Sequence, residues 1–153
     1  MEREIHSIKR KSLIINLNSS IFGTIAEIGG GQEVARSFFQ AGGASGTIAK
    51  SISAYDKNYS DFLYNNNEPG KYVSEDRLNK MLQKEFNEAI QLLEKSKSDE
   101  TRFFAFANTV ATLNYKKDNE SHGWLGVRFQ LNSKEINQVV IHVRLLENDG
   151  ILQ

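Results

Sequence analysis

Apolar residues recur along this chain in two rhythms, a helical one in the first two-thirds and a strand-like one in the last third. The strongest helical signal runs from Ser74 to Ser96. Leu78, Met81, Leu82, Phe86, Ala89, Ile90 and Leu93, with Glu85 among them, fall on one stripe. Ser74 is a natural N-cap, and Glu75 and Asp76 suit the positive end of the helix dipole. Beyond it the period shortens to that of a strand. The run RFFAFANTVATL, Arg102 to Leu113, is apolar on both faces and predicts a central strand. Trp124 to Leu131 alternates, with Leu125, Val127, Phe129 and Leu131 opposite Trp124, Gly126, Arg128 and Gln130. Val139 to Leu146 alternates again, with His142 and Arg144 opposite Ile141, Val143 and Leu145. A polar loop, Tyr115 to His122, and a turn, Ser133 to Gln138, join these into an antiparallel meander.

The N-terminal half is harder to read. Residues 2–10 suggest a frayed helical turn, and Leu13 to Leu17 a short strand. Ile21 to Ile28 fits either element. Ile21, Ile25 and Ile28 share a helix face, whereas Gly23, Thr24 and the β-branched isoleucines suit a strand. The balance falls to helix, because Ser19 or Ser20 caps it and Gly29 ends it. Gln32 to Gln40 predicts a helix with Val34, Phe38 and Ala41 on one side, stopped by Gly42-Gly43. Thr47 to Ala54 predicts another short helix, with Ile48 and Ile52 one turn apart. Lys57 to Tyr64 predicts a third, packing Tyr59, Phe62 and Leu63 inward; Asn65 to Lys71, with the single proline Pro69, is a loop. Helices first and strands last predict an α+β fold: a helical N-terminal half packed on an antiparallel sheet in the C-terminal half. The 153 residues suit a single domain, 1–153.

Charge and composition narrow the functional classes. Lys+Arg and Asp+Glu are both 19, so the chain lacks the basic excess of a dedicated nucleic-acid binder. There is no cysteine, which removes disulfides and thiolate metal sites. The three histidines, His6, His122 and His142, are scattered, so no metal site is expected, and nothing names a cofactor. The apolar core SLIINL is shorter than a secretory signal needs, and no run is long enough for a membrane helix. No membrane partner is expected, and the cytoplasm is the expected compartment.

The stretches AEIGGGQEVARSFFQAGGASGTIAKSISAYD, RFFAFANTV and HGWLGVRFQ with IHVRLLEND resemble the N-terminal part of a family of long bacterial proteins. Members of that family carry two labels, nicotinate-nucleotide adenylyltransferase and TonB-dependent receptor. The first activity uses a histidine-rich turn to hold phosphates, and the second needs many alternating barrel strands. Neither feature is present here. The resemblance implies a bacterial protein that continues beyond this chain.

Candidate chemistry gathers in two places. Gly29, Gly30 and Gly31 precede a helix start, with Gln32 and Arg36 following. Exposed amides and the helix dipole there favour an anion such as a phosphate, although a structural turn explains the same glycines. The spacing matches neither the dinucleotide-binding nor the Walker pattern. Glu27 and Glu33 flank the block and Asp56 closes it, as capping or solvated carboxylates or as cation ligands. On the sheet, Trp124, Arg128, His142 and Arg144 share the side opposite the expected core, a surface suited to an acidic or phosphorylated partner. His122 sits at a loop-to-strand boundary and, with Glu27, is the candidate for acid–base chemistry. The expected ligand is therefore a phosphorylated small molecule bound by an enzyme or enzyme fragment. The alternative is a non-catalytic module contacting a partner chain or the C-terminal remainder of a longer protein. The last strand leaves an apolar sheet face and a terminal Ile151-Leu152, so self-association is also expected.

Overall fold

The computed structural model describes residues 4–146. A long helix and three shorter ones pack on a five-stranded sheet, in the order α1 (Ile8–Asn16), β1 (Ile21–Gly29), α2 (Val34–Ala41), β2 (Ile48–Ile52), α3 (Lys57–Tyr64), α4 (Glu75–Leu93), β3 (Arg102–Ala111), β4 (His122–Gln130) and β5 (Ile136–Arg144). The strand order is β2-β1-β3-β4-β5. β3, β4 and β5 form the expected antiparallel meander. β1 lies parallel to both β2 and β3. The fold is α+β, with helices mostly in the N-terminal half and the meander at the C-terminal end.

Three N-terminal elements differ from the sequence reading, each for a physical reason. Ile21–Gly29 is a strand, buried along nearly its whole length. A strand covered on both faces has no alternation to show, so its isoleucines imitate a helix. Ile48–Ile52 is also a strand, because a spacing of four residues puts two side chains on one face in either element. Leu13 to Leu17, read as a strand, lies at the end of α1. That helix turns polar residues inward: Ser12 and Asn16 are buried, while Ile14 and Leu17 are exposed. Asn16 Nδ2 donates to the carbonyls of Phe38 (3.0 Å) and Gly42 (2.8 Å), so α1 docks on α2 through hydrogen bonds.

α4 lies across one sheet face, its stripe starting at the capped Ser74, whose hydroxyl accepts from the Arg77 amide. Leu78, Met81 and Leu82 pack on Ala26, Ile28 and Ala107; Phe86 and Ala89 pack on Phe22, Phe103 and Ala105. The small residues of β1 and β3 let the helix lie close. α3 is attached to α4 by polar side chains. Arg77, 1% exposed, donates to Asp61 Oδ1 (2.5 Å) and to the Ser60 hydroxyl. The Tyr64 hydroxyl donates to Glu85 Oε1 (2.7 Å), and Lys50 of β2 meets Glu85 Oε2 (2.5 Å). These bonds set the rotation of α3. Tyr59 and Phe62, expected inside, are exposed, and Ser60, Asp61 and Tyr64 are buried in their place.

α1 and α2 lie on the opposite face. There the sheet presents Phe104, Phe106, Val127 and Phe129, beside Ile15, Val34 and Phe38 of the two helices. The sides of β4 are therefore the reverse of the reading that put Leu125, Val127 and Phe129 in the main core. Trp124 packs against the α4 core, and Arg128 lies over the Phe86 ring at 5.4 Å. Val139 and Ile141, on the Phe129 side of β5, remain 48% and 47% exposed. The Ile151-Leu152 expectation falls outside the described residues.

Candidate functional site

The chain leaves β1 towards β2 by way of α2, and returns past β1 to β3 by way of α3 and α4. The two crossovers use opposite faces of the sheet, so the carboxyl ends of β1 and β3 flank a crevice that neither covers. Ligands of open α/β sheets settle at such switch points. Here the crevice is a cleft of about 670 Å³ lined by Gly29, Gly30, Gln32, Tyr55, Tyr72, Thr112 and Asn119, among others. Its size lies within the range of roughly 300–1,000 Å³ for small-molecule sites.

The glycine block forms the floor of one side. Gly29 has φ +73°, and a Cβ there would run into the carbonyl oxygen of Val110. The left-handed turn and the close approach both require glycine. The Gly30 amide donates to the same Val110 oxygen (3.0 Å). Gly31 sits against the Asn108 side chain, which donates to its carbonyl (2.8 Å), and Gln32 Nε2 reaches back to the Gly29 carbonyl (3.0 Å). The block is wired to β3 and to itself.

Glu27 decides what the start of α2 can bind. Its carboxylate accepts from the amides of Val34 (3.0 Å) and Ala35 (3.4 Å) and from Asn108 Nδ2 (3.1 Å). Thus the first turn of α2 already holds an anion, and it belongs to the protein. Burial raises the Glu27 carboxyl above its ordinary value, against the pull of those three hydrogen bonds. Asn108 Oδ1 is buried and finds no hydrogen-bond partner among the described residues.

A second group of side chains stands at the same end of the sheet. His122 opens β4 opposite Ala111, a cleft residue, and Arg144 lies across from His122 on β5. The His122 Nδ1 and His142 Nε2 atoms are 3.0 Å apart and share one hydrogen bond. His142 stacks on Trp124, with ring centres 4.3 Å apart and planes 15° from parallel. Burial pushes the His122 imidazole below its ordinary value, and the neighbouring His142 adds to this; Glu120 opposes it, and Lys71 and Arg144 lower it further. Arg144 lies 3.9 Å from Glu120, both on the surface.

The sequence candidates therefore divide. Gly29, Gly30 and Gln32 line the cleft, and Gly31 supports it. His122, Trp124, His142 and Arg144 are together on the α4 side of β4 and β5, and none of them lines the cleft. Arg128 is set apart, donating to Gln138 (3.2 Å) and covering Phe86. Arg36 is exposed on α2. Glu27 shares the α2 face with Asn108, whereas His122 is on the α4 face, so the structure does not bring these two together. Tyr55, Tyr72, Asn119 and Asn108 were missed. Asn108 carried a signal, as the lone amide within an apolar strand; the two tyrosines sit in loops with nothing to mark them. Among the described residues, no group of three or more histidine and carboxylate side chains is placed to hold a metal ion. No described helix is long and apolar enough to cross a membrane.

No family model matches the chain, and no curated protein matches it. Solved structures do. The competence/damage-inducible protein CihA from Agrobacterium tumefaciens superposes with a TM-score of 0.64 at 15% identity, covering 96% of this chain and 86% of its own. A competence-damaged (CinA) superfamily protein from Escherichia coli gives 0.62 at 11%, covering 97% and 86%. A competence or damage-inducible protein from Enterobacter asburiae gives 0.61 at 11%, covering 96% and 90%. The chain shares the fold of these bacterial proteins. At such identities the likeness concerns the fold alone. The names of these structures carry neither of the two labels, adenylyltransferase and receptor, met in the sequence resemblance.

Proposed function

We propose that this domain binds a small phosphate-bearing molecule in the cleft at the carboxyl ends of β1 and β3. The observation that carries this reading is the position of the cleft, at the switch point of the sheet, where its lining residue Ala111 pairs with His122 of β4. The uncharged part of the ligand lies among Gln32, Tyr55, Tyr72 and Asn119, whose amides and hydroxyls suit a sugar or base. The phosphate faces His122 and Arg144, because Glu27 already fills the start of α2. A non-catalytic contact module is the second reading, favoured by the half-exposed apolar face at Val139 and Ile141.

Thermal-shift measurements on nucleoside and sugar phosphates, each beside its dephosphorylated partner, test the first reading. A ligand at one hundred times its dissociation constant adds about 2.7 kcal/mol of stability. The phosphorylated member of a pair stabilises more, and Arg144→Gln removes most of that difference. Binding also strengthens as pH falls from neutral, because a phosphate favours the protonated form of the depressed His122. If no pair shifts the melting temperature at any pH, the ligand reading is wrong and the contact module is favoured.

A further inference from the structure

A second cavity lies at the far end of the sheet, on the face away from α4. It holds about 390 Å³ between the sheet and the helix pair α1–α2. Phe104 and Phe106 of β3 and Val127 and Phe129 of β4 form its floor; Ile15, Val34 and Phe38 form its wall. These strand residues are half-buried, so the slot is open rather than sealed. The proposed phosphate site does not use it, since that site lies at the opposite ends of β3 and β4.

One charged side chain lines this slot. Arg102, at the first position of β3, is on the Phe104 side by strand alternation. Its Nη1 donates to the carbonyls of Asp99 (3.2 Å) and Thr101 (3.3 Å), which position the guanidinium without neutralising it. Among the described residues no carboxylate forms an ion pair with it. Gln130, beside it, is occupied in accepting from the Phe103 amide (2.9 Å).

We propose that this slot binds a single-chain amphiphile with an anionic head, of the medium-chain carboxylate class. The hydrocarbon lies along the phenylalanine floor, and the head meets Arg102 at the mouth. The volume suits one small ligand, since it falls near the lower end of the range for such pockets. The charge selects a carboxylate over a neutral alcohol, because a guanidinium engages a carboxylate with two parallel hydrogen bonds. Leaving the slot to water would keep several aromatic side chains wetted in a contiguous apolar patch, which usually marks a binding surface.

Calorimetric titration of the full chain with decanoate and with decanol is the test, supported by methyl NMR spectra. Both ligands bind at one per chain and shift the methyl signals of Ile15, Val34 and Val127. Arg102→Gln weakens decanoate about tenfold, the scale of a lost hydrogen bond to a charged group, and leaves decanol unchanged. Decanol binding thereby shows that the variant is folded. Absence of saturable binding by both ligands overturns the proposal, as does equal weakening of the two in Arg102→Gln. Sedimentation showing a stable dimer that excludes decanoate also overturns it, assigning the face to a second copy of the chain.

Discussion

Glu27 carries the charge that a ligand would otherwise bring to helix α2. It sits under the first turn, bonded to Val34, Ala35 and Asn108, with no cationic side chain among these bonds. Replacing it by glutamine keeps the shape but turns one acceptor into a donor facing amide hydrogens. Glu27→Gln therefore costs about 1–3 kcal/mol of stability, measured by urea unfolding below pH 4.5, where the contribution of the carboxyl is fully present. The pH dependence has a definite sign. A carboxyl raised by folding binds its proton more tightly in the native state than in the unfolded one. Its contribution is fully present below the ordinary value of 4.5 and is lost as pH rises through the raised folded value. In Glu27→Gln that slope disappears, and an unchanged slope would assign it to another group. In the sequence, Glu27 was visible as a carboxylate beside three glycines, but its partners were not. A capping bond that joins residues seven or eight positions apart depends on the path of the turn between them.

At the scale of elements, the legible parts were those whose burial is one-sided. α4 is the clear case, with one wet and one dry face; β4 and β5 alternate apolar and polar residues in the sequence, although their burial does not alternate. β1 is enclosed by α4 below and by α1 and α2 above, and the isoleucine run lost its strand signature for that reason. α1 was hidden in another way: it docks through Asn16 rather than through its apolar residues, which remain in water. The α3–α4 contact was equally hidden, since charged and hydroxyl groups make it. Nothing in the sequence distinguishes Arg77 from the exposed charges around it, and Glu85 was marked only by its place on the apolar stripe of α4; both are buried. Tyr64→Phe tests this contact. It deprives Glu85 Oε1 of its hydroxyl donor while the ring remains in the core, so a loss of about 1–2 kcal/mol is expected. No loss would mean that Lys50 alone satisfies the carboxylate.

The whole molecule presents two unlike surfaces at opposite ends of one sheet. At the carboxyl ends of β1 and β3 is a polar cleft, with two imidazoles and a guanidinium on the neighbouring strands β4 and β5. At the other end, under α1 and α2, is an apolar slot with one arginine. The sequence marked the glycines and the strand-face cations as two separate groups. Only the parallel pairing of β1 with β3, which no local pattern announces, shows which of them share an end of the sheet. The reading of the cleft as the ligand site is tested most directly by amide NMR spectra of the chain, titrated with whichever nucleoside or sugar phosphate stabilises it. The account predicts saturable shifts confined to Gly29–Gln32, Tyr72, Ala111–Asn114, Asn119 and His122, with Phe104 and Phe129 unmoved. Shifts centred on Phe104, Phe106 and Phe129, with Gly30 and His122 silent, would contradict it.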